Sequence, residues 1–136
     1  MHPTVRLVLP TLAAVLIVGA VTHSAEKTGP QLAHMVFFTL KDHSKEARDA
    51  FVASCHKLLT NHEGTASFSV GVIAEDVVEP VVSVRDFDVA LHVVFEDKAA
   101  RDKYLVHPRH TQFVQENKEH FAKVRVFDSY LSAKAR

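Results

Sequence analysis

The sequence predicts a single α+β domain in which four strands and two helical regions follow the order β-α-β-β-α-β. Three observations carry this. Four short segments are rich in β-branched and aromatic residues and alternate with a two-residue period. Two longer segments place apolar residues at helical spacing behind capping residues. The first and third strands are apolar on both faces, so they need cover on both sides. The order is the ferredoxin-like arrangement: a four-stranded antiparallel sheet with its helices on one face.

The elements follow along the chain. In Leu32 to Lys41, Val36, Phe38 and Leu40 share one face and Met35 and Phe37 the other. Asp42 to Ser44 form a turn, and Ser44 is a good N-cap for a helix with Glu46 and Asp49 near its positive end. Ala47, Ala50, Phe51, Cys55, Leu58 and Leu59 make its buried stripe, and Gly64 is placed as its C-terminal cap. Thr65 to Ala74 alternates strictly, Phe68, Val70 and Val72 against Ser67, Ser69 and Gly71. A connection with Pro80 leads to a third strand, Phe87 to Glu96. There Val89, Leu91, Val93 and Phe95 oppose Asp88, Ala90, His92 and Val94. Asp97 caps a helix to about Val106, His107-Pro108 breaks it, and a second piece runs from Pro108 to Phe121. Lys123 to Leu131 is the last strand.

Helices cover only one sheet face. The apolar residues on the other face of strands one and three would leave a large exposed patch on a monomer. Two such sheets packed face to face close it, so the sequence predicts a homodimer that forms a dimeric α/β barrel.

The N-terminus is an address rather than fold. In residues 1–25, Arg6 supplies a positive charge before the uncharged run Leu7 to Val21. That run is short for a spanning helix, which needs about 20 residues, but right for a signal segment. The expectation is an exported, periplasmic or secreted protein, with anchoring in a membrane through residues 7–21 as the alternative. Residues 26–32 form a linker, 33–131 the domain and 132–136 a tail. Sixteen Lys+Arg balance sixteen Asp+Glu, so no basic excess points to nucleic acid. The one cysteine, Cys55, cannot form an internal disulfide and reads as a small buried hydrophobe. No Gly-rich phosphate loop, nucleophile elbow or paired-carboxylate motif is present.

The segment FDVALHVVFEDKAARDKYLVHPRHTQFV, residues 87–114, resembles the stress-responsive A/B barrel family. The family's pattern falls on Phe87, Asp88, Phe95, Tyr104, His107, Pro108, His110 and Phe113. The opening strand from His34 and the closing VRVFDSYL are similar to the family's first and last strands. The resemblance spans about residues 33–131 and implies a dimeric α/β barrel of ferredoxin-like subunits. In the olivetolic acid cyclase-like plant branch, which works by aldol chemistry without a cofactor, the catalytic positions match Tyr104, His110 and His34. The chain departs from that branch in its N-terminal segment and its helix and loop sequences.

Two functional readings follow. In one, the barrel pocket binds a small apolar or carbonyl ligand. In the other, a cofactor-independent cyclase- or isomerase-type enzyme uses His110 as general base, with Tyr104 and His34 polarising a carbonyl. Each residue also has a structural reading, with His107 and His110 serving the helix break by side-chain hydrogen bonds, Tyr104 the core and His34 the strand edge. His107, Asp88, His92 and Phe113 are candidate ligand contacts. Asp88 and His92 share a strand face and suggest a polar spot inside the barrel, or solvated positions near the strand end. His107 and His110 offer two imidazoles without an evident third or fourth ligand, so no metal site is expected, and no cofactor.

Overall fold

The computed structural model describes residues 29–132. The expected export segment, residues 1–25, and the end of the expected tail lie outside the described residues. The elements are β1 (Leu32–Leu40), α1 (Lys45–Leu59), β2 (Thr65–Val72), β3 (Val89–Phe95), α2 (Lys98–Val106), α3 (Pro108–Asn117) and β4 (Phe121–Tyr130), with a 3₁₀ turn at Lys118–His120 before β4. The sheet order is β2-β3-β1-β4 with every pairing antiparallel. This is the ferredoxin-like topology that the strand and helix pattern predicts. No helix among the described residues is long and apolar enough to cross a membrane.

The two-residue period decides which side chains the helices cover. Val36, Phe38 and Leu40 of β1 and Val89, Leu91, Val93 and Phe95 of β3 are all buried beneath α1, α2 and α3. Phe38 is the hub, with ring centroids 4.8 Å from Phe51, 5.3 Å from Phe121 and 6.3 Å from Phe113. Cys55 is wholly buried in α1, and burial pushes its thiol up to about 12, so it packs as an apolar group. On the opposite sheet face, Phe37 meets Phe87, His92 and Phe127. Phe127 remains half exposed there.

Helix ends depart from the sequence reading where side chains intervene. Ser44 and Asp97 cap α1 and α2 as expected, each accepting from the backbone N–H three residues on. Gly64 does not cap α1. Thr60 does, and its hydroxyl donates to the His56 carbonyl at 2.7 Å. Gly64 instead turns the chain into β2 with φ +77, directly against Ala100 of α2. α3 stops at Asn117 rather than Phe121. The Asn117 amide donates to the Phe113 carbonyl and to Ser54 Oγ of α1, pinning the helix end and releasing Phe121 to open β4.

β2 and β3 are joined by residues 73–88, which form no regular structure. The segment crosses toward β4, where Asp86 accepts from Thr39, Lys123 and Arg125. Five of its valines, Val77, Val78, Val81, Val82 and Val84, are exposed.

Candidate functional site

Between the helix-facing side of the sheet and the α2–α3 elbow lies a cavity of about 570 Å³. Its wall is mainly apolar, with Val36, Leu59, Leu91, Leu105 and Phe113 among the lining residues. His34, Tyr104 and His110 converge on it, joined by Arg101 and Asp128. The convergence follows from register and from the helix break. His34 faces the helices because it is in phase with Val36 and Phe38. Tyr104 sits in the last turn of α2. Pro108 cannot continue that helix and starts α3, which brings His110 back over the Tyr104 ring at a centroid distance of 4.7 Å. The His34 ring lies 6.2 Å from Tyr104.

His110 is partly buried. Desolvation lowers its pKa below the usual histidine value of 6.5, with His34 and His62 adding to the effect, while a hydrogen bond to the Leu105 carbonyl opposes it. The ring is therefore mainly neutral at neutral pH, with one nitrogen bearing a hydrogen and the other a lone pair. Tyr104 is 2% exposed, and burial raises its phenol well above the usual range, so it stays a protonated donor.

His34 pairs in register with Asp128, and its Nδ1–H donates to Asp128 Oδ1 at 2.7 Å. A carboxylate only accepts, so Nδ1 carries the hydrogen in this bond, and in the neutral form of the ring Nε2 is the acceptor. The other Asp128 oxygen accepts from Arg101 Nη2 at 2.9 Å. The sequence reading has neither Asp128 nor Arg101. It also misses His62, buried between the rings of Tyr104 at 4.8 Å and His107 at 4.5 Å. His62 Nε2–H donates to the Leu58 carbonyl at 3.0 Å, and Nδ1 is buried with no partner among the described residues. Desolvation first, and then the charges of His107 and Arg109, hold its pKa down against that bond.

The remaining candidates separate. Phe113 lines the cavity. His107 is exposed at the elbow, where Nδ1 accepts the Arg109 N–H at 3.1 Å and caps α3. Asp88 and His92 do not form one polar spot inside the fold. Asp88 precedes the paired part of β3, and its carboxylate turns to the start of α1. There it accepts from Leu40 N at 2.8 Å, Arg48 Nε at 3.0 Å and His43 Nδ1 at 3.0 Å. Burial alone raises its pKa, but these three partners outweigh it and hold the carboxyl below 3.8. His92 stays on the outer sheet face, exposed, with Nδ1 3.4 Å from Ser69 Oγ. Among the described residues, no group of three or more His, Cys, Asp or Glu is placed to hold a metal ion.

Fold and cavity together define a ferredoxin-like domain with a pocket under its helical layer. The model of the stress responsive A/B barrel domain, Dabb, matches residues 32–131, and the chain belongs to that family. Solved structures share the fold. A Dabb family protein with a ferredoxin-like fold from Mesorhizobium loti is 24% identical, with TM-score 0.64 over 77% of this chain and 100% of that one. A dimeric ferredoxin-like protein of unknown function from Thermobifida fusca is 14% identical, with TM-score 0.63 over 76% of this chain and 93% of that one. A hydroxynitrile lyase from Passiflora edulis is 19% identical, with TM-score 0.61 over 79% of this chain and 98% of that one. No curated protein matches the sequence.

Proposed function

We propose that the chain binds a small apolar carbonyl compound in this cavity and moves a proton on its carbon framework, with His110 as general base. The observation that carries the reading is the convergence of His34, Tyr104 and His110 on one apolar cavity. Tyr104 is the donor for the carbonyl oxygen. His110 takes the proton from the adjacent carbon as the C–H electron pair moves into the enolate, whose oxygen the Tyr104 hydroxyl stabilises. Returning the proton to a different carbon isomerises the compound; attack of the enolate carbon on a second carbonyl cyclises it. His34 differs in role from the carbonyl polariser of the sequence reading. With Asp128 on Nδ1, Nε2 of His34 faces the ligand, and in the neutral form of the ring it accepts from a ligand hydroxyl or takes up a proton in transit. A hydroxynitrile lyase shares the fold, so the scaffold carries an enzyme in at least that protein.

A screen of apolar aldehydes and ketones by calorimetry and by solvent deuterium exchange tests this. The His110→Ala variant is expected to bind a hit as the wild type does and to lose its exchange or turnover. Loss of affinity in that variant, with no exchange in the wild type for any bound compound, would leave binding alone as the function.

The reading also includes a homodimer and export. The outer face around Phe37, Phe87 and Phe127 is apolar and partly open in the single chain, and several structural neighbours are described as dimeric. Sedimentation at micromolar concentration is expected to give a dimer, and a clean monomer contradicts it. For export, mass spectrometry of the mature N-terminus is expected to show the first ~20–25 residues removed; an intact Met1 refutes cleavage.

A further inference from the structure

We infer that Arg101 makes the cavity selective for apolar molecules that end in a carboxylate, oxo acids among the carbonyl compounds, by serving as the anchor for that group. The inference rests on the cavity-binding reading above and names the ligand class it takes.

Arg101 is on α2, one turn before Tyr104, and its side chain lines the same cavity. It is always charged, and its guanidinium carries five N–H donors. Nη2 donates to Asp128 Oδ2 at 2.9 Å, and Nη1 makes a long contact of 3.4 Å with Asp102 Oδ1 on the neighbouring residue. Nε is enclosed with no partner among the described residues. Two donors are engaged, one of them weakly, so hydrogens on Nη1 and Nη2 remain for a ligand. The nearby carboxylates occupy only part of this donor set, and each also has a second partner. Asp128 is also held by His34, and Asp102 is paired with Lys98.

A cation with spare donors in a mainly apolar wall is an incomplete arrangement. A neutral apolar ligand would desolvate those N–H groups without replacing their partners, whereas a planar carboxylate meets a guanidinium with parallel hydrogen bonds. Arg101 is tied through Asp128 to His34 and lies one helical turn from Tyr104. An acid group seated on Arg101 therefore places the adjoining carbons among the three residues assigned to proton transfer.

The test uses the full-length protein and a neutral fluorescent probe, N-phenyl-1-naphthylamine, displaced by decanoate or by decanamide at pH 7. Decanoate is expected to displace it at least about tenfold more tightly than decanamide, the equivalent of one charge-assisted hydrogen bond. Arg101→Met is expected to abolish that ratio, chiefly by weakening decanoate, and Arg101→Lys to retain part of it. Asp128→Asn removes the competing carboxylate and is expected to raise decanoate affinity. A merely structural Arg101–Asp128 pair would instead make Asp128→Asn weaken both ligands alike. Equal affinity for the two compounds in the wild type, or a ratio unchanged in Arg101→Met, overturns the inference and leaves the cavity reading intact. If no apolar compound displaces the probe, or the probe does not enter, the cavity reading itself fails and takes the inference with it.

Discussion

Replacing Gly64 with alanine probes the seam between the sheet and α2. Gly64 has φ +77, a conformation that costs a residue with a Cβ roughly 1–2 kcal/mol. The added methyl would stand 2.4 Å from the Cβ of Ala100, an overlap that something must yield to. Overpacking of this kind costs about 1–3 kcal/mol. The two effects together come to about 2–5 kcal/mol, and in a domain of about 100 residues each kcal/mol moves the midpoint by roughly 4–8 °C. Thermal unfolding followed by circular dichroism should therefore show a fall of about eight degrees or more for Gly64→Ala. The second variant, Ala100→Gly, separates the causes. It removes the methyl that Gly64→Ala strikes but leaves the backbone strain. The double variant should thus be about 1–3 kcal/mol more stable than the sum of the singles predicts. Simple additivity would refute the clash, and an unchanged midpoint in Gly64→Ala would refute the whole account.

Two further predictions concern pH. The Asp88 carboxyl titrates below 3.8 in the folded chain, so its contribution to stability is present above that pH and is lost as pH falls through the folded value. Asp88→Asn should destabilise the protein at pH 7, and urea midpoints of variant and wild type should draw together below about pH 4; a constant gap would contradict the assignment. His62 and His110 act in the same sense, at higher pH. Both are held below 6.5, so the unfolded chain binds more protons below that pH, and stability should decline as pH drops from 6.5 towards the folded values. The doubly substituted His62→Gln, His110→Gln chain should show a flatter stability profile over that range, and an unaltered slope would mean that these rings are not the source.

The fold was legible in the sequence because its signals are local. Strict alternation in β2, the apolar face of β3, caps at Ser44 and Asp97, and the His107-Pro108 break each act within a few residues, and they place these strands and helix starts to within two residues. Tyr104 and His110 were legible for a similar reason: one short motif carries both, and a proline fixes the elbow between them. Asp128 and Arg101 were not. Asp128 meets His34 across 94 residues, through a strand register that no spacing in the chain reports. Asp88 and His92 look like neighbours on a two-residue count, yet Asp88 stands at the entry to β3, where its carboxylate is taken by the Leu40 N–H and by Arg48. Gly64 was assigned to a helix end because helix ends favour glycine. What requires glycine there is Ala100, a residue of another element.

The pairing of the first strand with the last has a consequence for how the protein is made. β1 leaves the ribosome early, but the carboxylate that orients His34 is on β4, the final element of the chain. Until β4 has been synthesised and has added to the open edge of β1, the early histidine has no fixed tautomer and the cavity has no wall at Val124 and Val126. The ligand binding proposed for the cavity would thus be deferred to the end of translation, and a product truncated before Phe121 should be unable to bind even where its first three strands have paired.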